Sequence, residues 1–403
     1  MKLSGVRVLD LSQFMAGPLI SSVMRDHGAD VIKIESRTGD PTRHAGRIGE
    51  EESTFFASLN RGKRYVAVDL KAPQSRSALQ KLIQAADVLV ESFGPGTSRR
   101  LGLDYNTVKD WNPDLVYCSV SAFGQTGPLR EVGSHDQLVQ AIAGTYARGH
   151  DGAPIAPTVP IAGVVAAYSA LSGILMALLA AREGRGGDHL DLSMFDATLT
   201  ARPTALSQAL STLDAPKEFT FNVGIALLST YRTADAKWLS LGAHEARYAR
   251  ALLQALERED LIPHAITPGA DQSALASFLS SAFASRTLDE WLEWTKDKRL
   301  SLGPVLNFAE ALAHPHTEAR GMLLRDRNGR PHLGTPLKFS ADPGEPDLRL
   351  GRVGEDTLAV LKEIGIDENS LDELLRTEAI FAPDARGIGA GNKTILQEAP
   401  IHG

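Results

Sequence analysis

The chain has a single cysteine among its 403 residues. Cys118 alone cannot build a disulfide framework, which fits a reducing compartment such as the cytosol. It lies in an apolar stretch, 115–120, and reads as a small buried hydrophobe. Aromatic residues make up only 6%, and no basic block occurs in a chain of formal net charge −7 and pI about 5.9. That excludes the basic, aromatic-studded surface of a nucleic-acid binder. The opening residues, MKLSGVRVLDLS, enter a strand at once and have no signal-peptide profile, so a cytoplasmic protein is expected. The first strand-to-helix turn lacks the Gly-rich dinucleotide fingerprint, so NAD is not expected. No metal site and no internal repeat are expected either. What remains, 43% hydrophobic and 23% charged residues, is enough for one large or two medium globular domains.

Residues 160–197 organise the chain. From Ile161 to Ala181 no residue is charged, a length that would span a bilayer as one helix. The run is rich in Ala, Gly and Ser, and neither a charged-loop asymmetry nor an aromatic belt flanks it. The expectation is therefore no membrane, and a helix apolar all round because it is buried in a large soluble domain. Arg182–Gly187 then reads as a turn, His189–Met194 as a strand, and Asp196 as the cap of the next helix.

Before this stretch, strands and helices alternate. Val6–Leu11 reads as a strand, a helix opened by Gly17-Pro18 runs to about Asp26, and Val31–Glu35 is the next strand. Strand, helix and strand within some 30 residues form a parallel βαβ unit. Tyr65–Leu70, Asp87–Glu91 and Leu115–Ser121 read as further strands, and Ser75–Ala86 as a helix, as in a doubly wound sheet. Near Leu227 the pattern changes to a hairpin around Asp235-Ala236-Lys237, followed by helices over Tyr248–Leu256, Ala274–Ala284 and Leu288–Asp297. The fold expected is α/β. The Gly- and Ala-rich tail after Phe381 is expected to be mobile or packed on a partner.

Six segments occur in an order that resembles one family: GVRVLDLS…AGP, GADVIKIE, NRGKRYVAVDLK, ADVLVESFGPG, RRLG and NPDLVYCSVSAFGQTGP. With 160–197 and the return segment at Leu333–Phe339, they resemble the family III CoA-transferases (CaiB/BaiF type). That family includes formyl-CoA transferase, carnitine CoA-transferase and alpha-methylacyl-CoA racemase. The resemblance implies a large Rossmann-like domain beginning in 1–225, a small α+β domain at 226–320 and a return to the large domain in 321–403. It also implies coenzyme A or acyl-CoA as substrate, a carboxylic acid as co-substrate, and an interlocked dimer. The partner would be a second copy or an Asp-bearing paralog. It also implies CoA contacts at or next to Gln13, Ala16, Arg37, Val68, Lys71, Ser92, Phe93, Arg100 and Leu101. Of these, Arg37, Lys71 and Arg100 would offer cations to phosphates.

In the transferases, an Asp just ahead of the long helix attacks the thioester and relays the acyl group covalently. Counting back from Gly173-Ile174-Leu175 places that Asp at position 163, which is Gly163; the racemase position falls on Ala162. Asp136, Asp151, Asp188, Asp191 and Asp196 are the carboxylates near in sequence. Asp136 follows His135 in a segment like the one that bears the racemases' catalytic His, and could equally cap or open a helix. Gly242-Ala243-His244-Glu245 resembles the segment bearing an active-site Glu. The resemblance therefore leaves three expectations. The chain is a non-nucleophilic subunit of a CoA-transferase, an acyl-CoA racemase or isomerase using His135 and Glu245, or an inactive CoA-binding or scaffold protein.

Overall fold

A computed structural model describes residues 1–45, 53–149, 151–212, 225–267 and 270–383. The tail from residue 384 on, and His150, lie outside the described residues. The chain divides into two units, residues 1–203 with 322–403 and residues 204–321.

The larger unit is a doubly wound α/β sheet. Its elements are β1 Arg7–Asp10, α1 Ala16–Asp26, β2 Asp30–Glu35, α2 Thr54–Asn60, β3 Arg64–Val68, α3 Arg76–Gln84, β4 Val88–Glu91 and β5 Val116–Ser121. Then follow α4 Asp136–Ile142, α5 Ile161–Ala180, β6 His189–Ser193 and α6 Met194–Thr200. Strands β1 to β6 pair in parallel in the order β3-β2-β1-β4-β5-β6. The strands read as near-continuous Val, Ile and Leu because both faces are covered. Leu79, Leu82 and Ile83 of α3 pack on one face, and Ile20, Met24, Ala170 and Ile174 of α1 and α5 on the other. Each such buried Leu, Ile or Met side chain contributes about 1.5–3 kcal/mol. Because the chain lays β2 and β3 to one side of β1 and β4 onward to the other, the order reverses between β1 and β4. In open parallel sheets that reversal leaves a crevice beyond the carboxyl ends of the two strands.

Helix α5 differs in one respect from its expectation. It packs on α1, β5 and β6, and Gly173 permits the close approach: a Cβ there would stand 2.7 Å from Leu190 Cδ2. Yet it is not buried all round. Ala162, Ala166, Ala170, Ile174 and Leu178 face the core, while Met176 and Leu179 are 71% and 61% exposed. Tyr168, Ser172 and Leu175 continue that exposed strip at helical spacing. It is the one helix among the described residues long and apolar enough to cross a membrane by length and composition, and here its apolar inner face covers a sheet.

A second correction lies just after it. Ser193, not Asp196, caps α6; its hydroxyl accepts the Asp196 backbone N–H at 3.1 Å, leaving Asp196 in the first turn.

The C-terminal part completes this unit. Helices α10 Thr357–Glu363 and α11 Glu368–Arg376 join the same core as α3, and β10 Ile380–Phe381 adds antiparallel to β3.

The smaller unit has its own core. Strands β7 Thr230–Arg232, β8 Trp238–Leu241 and β9 Leu302–Pro304 form an antiparallel sheet, order β9-β8-β7. Helices α7 Ala246–Ala255, α8 Ser273–Phe283 and α9 Leu288–Thr295 cover it through Leu252, Leu279, Phe283 and Trp291. The hairpin turns at Asp235–Lys237, with Ala236 in the left-handed region at φ 63°. Thr287 and Glu290 start α9 with a reciprocal capping box.

Candidate functional site

Two loops meet over the β1/β4 crevice. The Gln13 backbone N–H donates to Ser92 Oγ at 2.8 Å, tying the turn after β1 to the turn after β4. Ala16 opens α1, whose N-terminus carries no side-chain cap, and Gly17 lets the turn close: a Cβ there would meet Ser12 Cβ at 2.2 Å. Uncapped helix N–H groups facing a crevice suit an anion. Phe93 packs against the core below, and its N–H donates to the Glu91 carboxylate at 2.6 Å. To the β2/β3 side, Val68 ends β3, Lys71 is exposed in the following turn, and Arg37 lies beyond β2. The Arg37 guanidinium is paired with Glu378 at 2.8 Å and lies over the Phe381 ring. An exposed pair of this kind is worth about 0–1 kcal/mol. To the β4/β5 side, Arg100 ends a single helical turn and bonds Thr97 Oγ1 at 2.7 Å, with Leu101 partly buried behind it.

Beneath the turn after β1 lies a buried ionic floor that no single residue announces in the sequence. Asp10 accepts from Lys63 Nζ at 2.8 Å and Ser21 Oγ at 2.6 Å, and from the Ser12 hydroxyl. Lys63 also reaches Asn60 Oδ1 at 2.8 Å, while Lys33 pairs with Asp40 at 2.9 Å and donates to the Ser12 carbonyl. Glu35 holds Arg43 through both its oxygens at 2.8 and 2.9 Å. All of these charged groups are buried. Burial raises Asp10, but Lys33 and Lys63 outweigh it and hold the carboxyl well below the usual range. Burial pushes Lys63 down to about 8, against the pull of Asp10. Such a network fixes loop geometry more than it adds stability. The signal for it in the sequence is a lysine within the aliphatic DVIKIE strand, and another between Gly62 and Arg64.

At the N-terminus of α5, the third helical residue is Gly163. Its N–H donates to Asp136 Oδ2 at 2.8 Å, and Gln140 holds the other Asp136 oxygen. A Cβ at Gly163 would lie 2.2 Å from Met15 Cε, 3.6 Å from Asp136 Oδ2 and 3.8 Å from Met194 Cε. The Met15 methyl therefore occupies the space a side chain at 163 would enter. Asp136 is the first residue of α4 and His135 its N-cap position. The exposed His135 ring meets the edge of Phe14 at 5.5 Å between centroids, and Phe14 sits in the left-handed region at φ 64°. Thus Gly163, His135 and Asp136 are brought together with the turn after β1. Glu245 belongs to the smaller unit, exposed at the N-cap position of α7 and paired with Arg247 at 3.2 Å.

The profile of CoA-transferase family III matches residues 3–357. The chain belongs to this family. It is 31% identical over 382 residues to acetyl-CoA:oxalate CoA-transferase of Acetobacter aceti, covering 90% of this chain and 96% of that protein. It is 29% identical over 380 residues to alpha-methylacyl-CoA racemase of Mus musculus, covering 93% of this chain and 96% of the racemase. A crystal structure of a CAIB/BAIF family protein from Brucella suis superimposes with a TM-score of 0.77 at 29% identity, covering 90% of this chain and 99% of that one. The large parallel sheet and mixed α/β architecture are those of the family. CoA-transferases of this kind act on CoA thioesters and call for neither metal nor NAD.

In this family III member a further set of ionisable groups runs behind the crevice. Glu91 ends β4, fully buried, and burial pushes its carboxyl up to about 7. Ser119, its direct cross-strand partner on β5, bonds to His189 Nε2 at 3.0 Å, and its hydroxyl opposes the upward shift of Glu91. Burial lowers the His189 imidazole, although Asp191 and Asp188 oppose the shift. Asp191 in turn accepts the Gln125 N–H with both oxygens, at 3.1 Å each. Cys118 is buried on β5, and burial raises its thiol far above the ordinary range, so it is inert as a nucleophile.

Proposed function

We propose that this chain is a subunit of an acyl-CoA:carboxylate CoA-transferase that binds the CoA thioester in the β1/β4 crevice and does not itself supply the nucleophile. The observation that carries this reading is Gly163 with the Met15 methyl in its side-chain space. Acyl transfer through an aspartyl relay needs a carboxylate oxygen to attack the thioester carbonyl, the C–S bond to break, and CoA thiolate to return to the new anhydride. A glycine can form none of these species, and losing a covalent relay costs orders of magnitude in rate. The carboxylate would come from an Asp-bearing paralog in a cytoplasmic dimer. The exposed strip of α5, Met176 and Leu179 foremost, supports the presence of a covering chain.

Under this reading Gln13, Ala16, Ser92 and Phe93 line the carrier's path, Arg37, Lys71 and Arg100 meet its phosphates, and Val68 and Leu101 flank it. Residues 226–320 would form the small domain and 321–403 the return. Native mass spectrometry of the protein from its own source tests the proposal. A heterodimer with a related Asp-bearing chain, active only as the pair, is the expected result. A homodimer with transferase activity of its own would overturn it.

The pairing of His135 with Phe14, one residue from Asp136, favours a second reading, an acyl-CoA racemase or isomerase that moves the proton alpha to the thioester. The family resemblance offers Glu245 as the second acid–base residue of that reading. Incorporation of deuterium from heavy water at the alpha carbon, lost in His135→Ala, would establish it. Tight CoA binding with neither transfer nor exchange in any pairing would leave a binding or scaffold protein.

A further inference from the structure

We propose that Glu91 is a positioning residue of the CoA crevice and that binding of CoA is coupled to uptake of a proton there. The inference rests on CoA occupying the β1/β4 crevice. Glu91 has no part in the chemistry above, yet it holds the crevice wall: its carboxylate accepts the Phe93 N–H at 2.6 Å, and the adjacent Ser92 accepts the Gln13 N–H from the opposite wall. The groups that face it are few. Ser119 and Tyr117 come from β5, with Cys118 between them on the opposite face, and Asp191 and, through Ser119, His189 come from β6. No cation reaches it among its described hydrogen bonds and ion pairs. The charge nearest in effect is the Asp191 carboxylate, which also raises Glu91. A buried carboxylate without a cation is neutralised before it is tolerated.

The hydrogen-bond chain has two directions. With Glu91 neutral, its hydroxyl faces Ser119 Oγ, and Ser119 donates to His189 Nε2 in the Nδ1–H tautomer of an imidazole whose protonation burial disfavours. The Glu91 carbonyl oxygen still accepts from Phe93. With Glu91 ionised, Ser119 must turn to donate to it, and His189 Nε2 loses its donor. A ligand carrying phosphates over this wall adds negative charge to the same low-dielectric region, so it binds better when Glu91 carries its proton. That proton comes from solvent. CoA affinity therefore falls as pH rises through 7, by at most tenfold per pH unit for one linked proton.

The test measures dissociation constants for CoA and for dephospho-CoA by calorimetry between pH 6 and 8, for the wild-type protein and for Glu91→Gln. The amide keeps an N–H for Ser119 and a carbonyl for Phe93. Dephospho-CoA lacks the 3′-phosphate, whose own second ionisation near pH 6 would add to the slope. We expect wild-type affinity for dephospho-CoA to fall about three- to tenfold from pH 6 to 8. Glu91→Gln should hold near the low-pH wild-type value throughout. Parallel profiles for the two proteins would overturn the coupling. A second measurement needs no variant: proton uptake by the wild-type protein on binding dephospho-CoA at pH 7.5, read from heats in buffers of different ionisation enthalpy. An uptake of zero overturns the proposal while leaving CoA binding intact. If neither ligand binds at any pH, the CoA reading of the crevice fails, and this inference falls with it.

Discussion

Substitution of Gly163 tests whether Met15 fills the space beside α5. Gly163→Ala adds one methyl at a point 2.2 Å from Met15 Cε, well inside contact distance. Two terms oppose each other. Alanine is favoured over glycine in a helix by up to about 1 kcal/mol, somewhat less in a first turn. Overpacking costs about 1–3 kcal/mol where neighbours are fixed. Met15 is half-buried and its long side chain can turn away, so the lower end applies, and a displaced rotamer costs about 0.5–1.5 kcal/mol. The single variant should be neutral to about 1 kcal/mol less stable. In a Met15→Ala background the clash is gone, and Gly163→Ala should stabilise by up to about 1 kcal/mol. The double-mutant cycle, measured by urea unfolding with Met15→Ala, Gly163→Ala and the pair, should give a coupling of about 1 kcal/mol. Equal effects in both backgrounds would refute the reasoning: Met15 would then not occupy that space, and a side chain at 163 would be sterically free.

Other outcomes follow from the buried charges. Lys63→Met removes the cation bonded to buried Asp10 and leaves Lys33 as its remaining positive neighbour; it should cost about 3 kcal/mol, the low end for a broken buried pair, measured as a lowered denaturation midpoint. Glu91 is raised from 4.5 to about 7, so its contribution is fully present below pH 4.5 and is lost as pH rises towards 7, by about 3 kcal/mol. Glu91→Gln should therefore gain stability relative to wild type across that window, and a constant difference would contradict it. Cys118 should resist alkylation in the native protein at pH 8 and react fully in urea; rapid native labelling would show that it is not sealed on β5.

Much of the larger unit is legible in the chain itself. The strands around Val8, Val31, Val66, Leu89 and Val116 are continuous aliphatic runs separated by Gly and Pro, and doubly covered parallel strands allow little else. Helix 161–180 is legible in extent and not in burial, because its exposed strip is as apolar as its buried one, so periodicity carries no contrast between faces. The cap of α6 is ambiguous in sequence because Ser193 and Asp196 both suit the role, and only the turn geometry chooses Ser193. The Asp10, Lys33 and Lys63 floor stays hidden because charged residues within aliphatic strands show no partner until β1, β2 and β3 lie side by side. At the candidate site, His135, Asp136 and Gly163 stand out from the segments that carry them. Met15 does not, since nothing in a methionine's neighbours announces which cavity its methyl fills.

The edge of the large sheet has a consequence for how the protein is made. Among the described residues, strand β3 finds its outer partner in Ile380–Phe381, and the Tyr65 and Ala67 N–H groups donate to Asp356 at 2.8 Å and Thr357 at 3.0 Å. At about 5–20 residues per second on the ribosome, that side of the sheet waits roughly a quarter of a minute to a minute for its cover. During that interval an aliphatic strand edge stands open, an invitation to pairing with other nascent chains. A message cut short within the smaller unit would release that open edge for good, and such fragments are the natural clients of a holding chaperone.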